Sequence, residues 1–257
     1  MPNSTNAILH IAADAGRIIL ENGGETYRAQ ETIDRIAHSY GMVEDESFAV
    51  PTGMMTTITD AEGNTLSHIR RITRRTINME KISQINQLAR DIAASPVPPA
   101  NAAETLKGID SLAGLSLFPA AAASGLIASF FTLFFGGEWR SGIVAFITGI
   151  LLRLIMVALG RRGSNGFFIN AVGGATAAFV AIMAAHFGIA TSYDKIIIGA
   201  IMLLVPGITV VNAIRDAIAG DILAGTSRAV EAFILSVAIA MGTGAVLKIG
   251  FLLFGGL

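Results

Sequence analysis

Long apolar runs from Leu112 onwards restrict the fold of this chain more than any other sequence feature. A helix that crosses a membrane needs about 20 predominantly apolar residues, with a usual range of about 17–25. Five candidate runs follow one another: Leu112–Phe135, Ser141–Gly160, Gly163–Tyr193, Ile196–Val211 and Ala229–Phe254. The fourth run is the shortest, and Pro206 interrupts it. The pattern predicts an α-helical polytopic membrane protein with about five transmembrane helices.

Charged residues are concentrated before these runs. Of the 19 acidic residues 14 precede Leu112, as do 10 of the 18 basic ones. We therefore expect a small cytoplasmic α+β domain at 1–94, a linker at 95–111 and a five-span membrane domain at 112–257. The mean hydropathy of +0.62 and the 14% of charged residues exclude a wholly soluble chain.

Net charge and cysteine content exclude several classes of function. The net charge of −1 gives no indication of a nucleic-acid partner. Without cysteine the chain has no disulfide, thiol catalyst or zinc–thiolate site, and its four histidines lack ligand spacing, so we expect neither a metal nor a cofactor. The N-terminus has no basic region followed by an apolar core, so we expect no cleaved signal peptide.

Helical periodicity is clear at three places in the N-terminal region. Apolar residues at helical spacing predict helices over about 6–21 and 25–40, and Gly23-Gly24 separates them. The glycine pair is not part of a phosphate-binding loop, because no GKS or GKT sequence and no preceding strand support one. Asn78 is a candidate N-cap for a third helix at 79–94.

A β-hairpin and a linker complete this region. The stretch SFAVPTGMMTTITD at 47–60 is rich in β-branched residues, and the turn-forming AEGN separates it from a second candidate strand, TLSHIRRI at 65–72. SPVPP at 95–99 is typical of a stiff linker.

Basic residues in the short loops predict the orientation in the membrane. The loops on one side carry four arginines and those on the other carry two basic residues: Arg161, Arg162, Arg215 and Arg228 against Arg140 and Lys195. An excess of basic residues belongs in the cytoplasm. We therefore expect a multi-pass protein of the bacterial cytoplasmic membrane with its N-terminus in the cytoplasm and its C-terminus outside.

The stretch 204–231, LVPGITVVNAIRDAIAGDILAGTSRAVE, combines charge with apolar surroundings. Ionisable groups beside a bilayer are costly and usually mark a pathway or binding site. Pro206-Gly207 breaks the helix there and frees backbone groups that need partners. We predict a substrate- or ion-binding site formed by Asn212, Arg215, Asp216, Asp221, Arg228 and Glu231. The alternative is that these groups pair with one another and anchor a cytoplasmic loop.

Two further features of the apolar region have structural alternatives. Arg153 lies about one and a half turns inside the second run, where lining a pore and snorkelling to the interface fit it equally. Small residues recur every four positions, as in Gly173, Ala177 and Ala181, and such ladders allow close helix packing in lipid. The ladders predict assembly of a bundle and no particular chemistry.

Three stretches carry a resemblance to a known family: ENGGETYRAQETIDRIA at 21–37, PTGMMTTITD at 51–60 and LLVPGITVVNAIRDAIAGDILAGTSRAVEA at 203–232. Through them the chain resembles the threonine/serine exporter (ThrE-like) family over essentially its whole length. The resemblance implies secondary transport of small hydrophilic metabolites out of the cytoplasm, with threonine and serine as substrates.

The resemblance also implies a membrane partner. Long members of the family join two five-span halves behind one cytoplasmic domain, and this chain contains one such half. It is therefore similar to the split form, in which a separate small membrane protein supplies the other half, and self-association is a further expectation. A similar split pair is associated with succinate export, which leaves a C4-dicarboxylate as the alternative substrate.

Two other classes of function compete with a transporter. A hydrolase would need a nucleophile and a base in a recognisable arrangement, and the sequence has none, so we do not expect an enzyme. A membrane-anchored regulatory subunit would leave the pathway to its partner. The charged stretch 204–231 argues against that role, because a passive scaffold has no need of buried charge.

Overall fold

The structure, a computed structural model, describes residues 2–254 and divides into two compact units. The α+β unit contains the residues up to Gly114 together with Ile208–Val230. The helical unit contains Leu115–Gly207 and the residues from Glu231 onwards. A segment from the C-terminal half of the chain therefore belongs to the unit that the N-terminal half builds.

Ten helices and three strands occur within residues 2–254. Those of the N-terminal region are α1 (Pro2–Glu21), α2 (Thr26–Ser39), β1 (Glu44–Val50), β2 (Gly53–Thr59), β3 (Thr65–Arg71), α3 (Met79–Ala94) and α4 (Pro99–Ser111). The later helices are α5 (Leu117–Phe134), α6 (Trp139–Arg161), α7 (Gly166–His186), α8 (Tyr193–Ile201), α9 (Gly207–Ile218) and α10 (Ile222–Phe254).

Aliphatic stripes on α1, α2 and α3 form the core of the α+β unit. Ile18, Ile19, Ile33, Ile36 and Ile85 are all essentially inaccessible to solvent. Burial of one such side chain contributes about 1.5–3 kcal/mol to folding. The predicted helices at 6–21, 25–40 and 79–94 are confirmed to within a few residues at their ends.

The sheet has three strands where the sequence predicted a hairpin. Its order is β1-β2-β3, and both pairs are antiparallel. Pro51 and Thr52 form a tight turn inside the stretch that we expected to be one strand, because proline pre-sets the backbone angle that a turn requires. Met54 and Ile58 on the inner face are buried against the helices.

A helix, α4, occupies most of the predicted linker at 95–111. Pro99 stands at its start, where the missing N–H of proline costs nothing. Ala102, Leu106 and Ile109 of this helix lie in the core of the α+β unit. Arg17 of α1 also donates a hydrogen bond of 2.8 Å to Asp110. The prolines that suggested a linker therefore mark the beginning of a packed helix.

The apolar runs form a mostly helical membrane region. Among the described residues, four helices are long and apolar enough to cross a membrane, and they are α5, α6, α7 and α10. The predicted fourth span, Ile196–Val211, is divided between α8 and α9, because the helix ends before Pro206 and resumes at Gly207. The count of five spans is therefore not confirmed.

Glycines allow the helices of the helical unit to approach backbone to backbone. A Cβ atom on Gly174 of α7 would lie 2.5 Å from the carbonyl oxygen of Ile239 in α10. A Cβ atom on Gly242 of α10 would collide with the carbonyl oxygen of Ala171 in α7. Such contacts are how small residues drive helix association in lipid. These contacts fall beside the predicted ladder on α7, whose members Ala177 and Ala181 are fully buried.

We expect Gly242→Ala to weaken the packing of α7 against α10. The new methyl group forces the two backbones apart, and overpacking of this kind costs about 1–3 kcal/mol. Gly244→Ala is the matched control, because a Cβ atom there meets open space. Thermal denaturation of the purified proteins in detergent should show a lower midpoint for Gly242→Ala alone. Equal midpoints for the two variants would contradict the packing described.

Candidate functional site

The turn between α1 and α2 is the centre of the candidate site, and its sequence is Asn22-Gly23-Gly24-Glu25. Gly23 ends α1 with a φ of +90°, a conformation that costs glycine little. A Cβ atom on Gly24 would collide with the side chain of Ile19, so only glycine fits there. The amide of Gly24 donates to the carbonyl of Ile19 at 2.9 Å. The glycine pair therefore packs the turn tightly onto α1.

Polar side chains from α9 and α10 bind this turn. The side-chain Nδ2 of Asn212 donates a hydrogen bond of 2.8 Å to the carbonyl oxygen of Gly23. Arg228 Nη2 donates to the carbonyl oxygen of Gly24 at 2.7 Å. These two bonds satisfy backbone carbonyls that the tight turn leaves without helical partners.

Asp216 is the most deeply buried member of the cluster. Its side chain is 0% exposed, and Oδ1 accepts a hydrogen bond of 3.0 Å from the backbone N–H of Thr26. Thr26 is the first residue of α2, so the carboxylate lies at the positive end of the helix dipole. Asp216 Oδ2 lies 2.9 Å from Arg228 Nε, although the N–H does not point along the line between them. The contact is an ion pair and not an aligned hydrogen bond.

Glu25 forms a second, more accessible ion-pair cluster. Arg215 Nη1 donates to Glu25 Oε1 at 2.6 Å, and Arg28 Nε lies 3.2 Å from Glu25 Oε2. Burial opposes the charge on Glu25, but the hydrogen bond from Arg215 and the charge of Arg28 outweigh it and lower the pKa of Glu25. The Arg215 side chain remains 53% exposed. The buried carboxylate of Glu25 therefore lies between two arginines whose own side chains are exposed to solvent.

The α9–α10 hairpin that carries these groups is shaped by two glycines. Gly220 has a φ of +99° and turns the chain after α9. A Cβ atom on Gly225 would lie 2.7 Å from the carbonyl oxygen of Ala213, so the two helices pack in close contact there. At the turn, Asp221 Oδ2 accepts a hydrogen bond of 3.2 Å from the hydroxyl of Thr26.

The structure brings five of the predicted site residues onto the α1–α2 turn: Asn212, Arg215, Asp216, Asp221 and Arg228. Glu231 follows them in α10 and is partly exposed. The predicted break is present, since α8 ends before Pro206 and α9 begins at Gly207. Arg153 lies on α6, in the helical unit, where its Nε is buried without a hydrogen-bond partner.

Four residues of the cluster were not predicted as site residues, and they are Gly23, Gly24, Glu25 and Thr26. The signal that could have found them is the motif at 21–37, which places two glycines and a glutamate directly before a helix. No group of three histidine, aspartate or glutamate side chains able to hold a metal ion occurs among residues 2–254. The contacts of the cluster itself are ion pairs and hydrogen bonds.

Comparisons with known proteins identify the family of this helical membrane protein. A family model described as "Putative threonine/serine exporter" matches residues 10–250. The chain belongs to this threonine/serine exporter (ThrE) family, and the resemblance seen in the sequence is confirmed. No solved structure matches the chain.

Two curated relatives carry related names. A "Threonine/serine exporter" of Corynebacterium glutamicum is 25% identical over 92% of this chain and 50% of its own length. A "Probable threonine/serine exporter" of Mycobacterium tuberculosis (strain ATCC 25618 / H37Rv) is 21% identical over 93% of this chain and 45% of its own length. The chain thus spans about half the length of both relatives.

A separate acidic cluster joins α2 to β1 in the α+β unit. Burial, together with the neighbouring carboxyl group of Asp45, raises the pKa of Asp34 to about 6. Ser47 donates a hydrogen bond of 3.1 Å to Asp34 and partly offsets this rise. His38 Nδ1 lies 2.8 Å from Asp45 Oδ1. The folded chain therefore holds a proton on Asp34 more tightly than the unfolded chain does.

We expect Asp34→Asn to stabilise the protein near neutral pH. Because the pKa of this acid is raised in the folded state, its contribution is fully present below its ordinary pKa and is lost as pH rises through about 6. Asparagine removes that loss, which is roughly 1 kcal/mol after solvent screening. The midpoint of thermal denaturation should rise at pH 7.5 and rise by a smaller amount at pH 5. Glu104→Gln, at an exposed position of α4, is the control, and a gain of equal size at both pH values would contradict the assignment.

Proposed function

We propose that this chain is one half of a secondary exporter for threonine and serine in the bacterial cytoplasmic membrane. The observation that carries the proposal is the set of contacts between the α1–α2 turn and the α9–α10 hairpin. It joins two of the three motifs that the family resemblance rests on, and it lies directly after the helix break at Pro206 in the chain. The names of the two relatives supply the substrate.

A zwitterionic amino acid suits the more accessible ion pair of the cluster, Glu25 with Arg215. Its carboxylate can replace Glu25 on Arg215, and its ammonium group can bind the Glu25 carboxylate that is thereby released. The geometry of charge-assisted pairs favours such an exchange, since each partner keeps an opposite charge. The pair of Asp216 and Arg228 is buried, so the substrate cannot reach it, and it would hold the turn in place during this exchange.

A C4-dicarboxylate is the second candidate substrate, and one observation favours it. Arg28 and Arg215 both contact Glu25, so two cations lie within reach of one bound molecule. Glu25 itself opposes this candidate, because its pKa is lowered and it stays charged beside a second anion. The cluster therefore fits a zwitterion better than a dicarboxylate.

The connectivity of the chain supports a fourth crossing through α8. The chain leaves the α+β unit after Gly114, passes through the three long helices α5, α6 and α7, and returns to that unit at Ile208. If the α+β unit lies in the cytoplasm, the number of crossings in this part must be even. The segment from α8 to Pro206 would then supply the fourth crossing, and α10 the fifth.

Such a crossing would be only partly helical. The nine residues of α8 rise about 14 Å, which is roughly half of a hydrocarbon core about 30 Å thick. The remainder would be spanned by the interrupted segment at 202–206. Non-helical backbone at that depth is tolerated where it lines a cavity or a pathway, as in the broken helices of transporters.

Cysteine labelling tests this topology, because the chain contains no cysteine of its own. We expect a membrane-impermeant maleimide to label Ser192→Cys on intact cells. It should label Ser164→Cys and Ala219→Cys only after the cells are opened. Labelling of Ala219→Cys from outside would show that α8 and Pro206 do not cross, and labelling of Ser164→Cys from outside would reverse the orientation.

A second membrane half is part of the proposal. The chain spans about half the length of both relatives, and we propose that a separate small membrane protein contributes a second half. Exposed apolar side chains on α5 and α10, such as Phe130, Phe134 and Phe233, offer helix faces to lipid or to that partner. Efflux should therefore require both proteins, and full export by this chain alone would remove the partner from the proposal.

We expect Arg215→Gln and Glu25→Gln each to reduce threonine efflux at least tenfold per molecule of protein. Arg215 is 53% exposed, and glutamine is nearly isosteric with the buried Glu25, so membrane abundance should stay near normal. Asp216→Asn should reduce abundance as well, since breaking a buried pair costs about 3–5 kcal/mol. Pro206→Ala should impair efflux by restoring a continuous helix.

The measurement is efflux from preloaded vesicles that contain both halves, normalised to the amount of protein. Arg35→Gln is the matched control, because Arg35 pairs with Glu31 on the exposed side of α2. If Arg215→Gln and Glu25→Gln both exported at the normal rate, the cluster would be a structural joint and not a substrate site.

A further inference from the structure

The outer face of the three-stranded sheet carries a row of large apolar side chains. Phe48, Met55 and Ile69 are paired in register across the three strands. Their side chains are 52%, 46% and 75% exposed, respectively. The solvent face of an antiparallel sheet is ordinarily polar. We call these three residues the apolar row.

Charges of opposite sign lie on the outer face on either side of the apolar row along the strand direction. On one side are the exposed residues Glu44 and Glu46 of β1. On the other side lies the exposed Arg71 of β3, in register with Gly53. The face is thus acidic at one end, apolar in the middle and basic at the other end.

We propose that this face binds the same face of a second copy of the chain. In a two-fold dimer each surface patch meets itself, so it must be self-complementary. A two-fold axis that passes through Met55, in the plane of the interface and perpendicular to the line from Glu46 to Arg71, brings the apolar rows of the two copies against each other. The same axis brings Glu46 of each copy over Arg71 of the other.

The charge pattern favours a second copy of the chain over a lipid surface as the partner of this face. Anionic lipid attracts basic residues by about 1 kcal/mol for each residue near the surface. The same lipid repels Glu44 and Glu46, which lie on the same face as Arg71. A second copy is the partner in which Glu46 and Arg71 each meet an opposite charge.

The size of the face predicts a weak association. Three strands of seven residues cover roughly 15 Å by 23 Å, or about 350 Å². A stable complex buries about 800 Å² on each partner. Dimers should therefore form in the membrane, where both copies are confined and their effective concentration is high, and dissociate on dilution in detergent.

Cross-linking of a single cysteine tests the proposal in the full-length protein. Met55 lies in the middle of the row, so Met55→Cys should be joined to its own copy by a short bis-maleimide in native membranes. Ser83→Cys, at an exposed position of α3, should react with a single maleimide but form no dimer. Adding Ile69→Glu to the Met55→Cys chain should reduce the dimer at least fivefold.

A charge exchange supplies the second arm of the test. Arg71→Glu should weaken cross-linking through Met55→Cys, and Glu46→Arg in the same chain should restore it. The proposal is overturned if Met55→Cys reacts with a single maleimide and gives no dimer. It is equally overturned if Met55→Cys is unreactive, or if only vesicles of anionic lipid protect it, because another occupant then covers the face.

Discussion

The carboxylate of Asp216 is the group on which the polar cluster of the α+β unit depends. It is fully buried, and a buried charge without partners costs several kcal/mol. Two partners offset that cost, the first N–H of α2 and the guanidinium of Arg228. Because the first lies in α2 and the second in α10, a single side chain fixes the start of one helix to two others. The bonds of Asn212 to Gly23 and of Arg228 to Gly24 follow from the same docking.

Close backbone contact is the second constraint, and it operates in both units. In the α+β unit, Gly24 lies against Ile19 and Gly225 lies against α9. In the helical unit, Gly242 lies against the backbone of α7. Several hydroxyl groups of the helical unit donate to the carbonyl four residues earlier in their own helix, as Thr132 and Thr148 do. The cluster of Asn212, Asp216 and Arg228 belongs instead to the α+β unit.

Much of this arrangement could be predicted from the sequence, and the remainder depends on contacts that no local pattern contains. The helix at 79–94 was predicted with its cap, because Asn78 and the apolar spacing are local signals. The charged residues after Pro206 stood out because ionisable groups are rare beside apolar runs. Their partners could not be predicted, since Thr26 and Asp216 are separated by 190 positions.

Two predictions were wrong for the same reason, because a proline was interpreted from its local sequence alone. Proline at 98–99 was taken to mark a linker, although Pro99 begins a packed helix. Proline at 51 lay inside one predicted strand, although it turns the chain between two. In both places the local sequence around the proline fits more than one structure. The packing of α4 decides the first case, and the pairing of β1 with β2 decides the second.

The distance in sequence between the α1–α2 turn and the α9–α10 hairpin also sets an order of events during synthesis. A ribosome adds about 5–20 residues each second, so the 190 positions between Thr26 and Asp216 take roughly 10–40 s to translate. Throughout that interval the start of α2 lacks the carboxylate that it binds in the finished chain. The candidate membrane helices α5, α6 and α7 are made within that interval. The α+β unit is therefore begun before the membrane region and completed only after most of that region has been made.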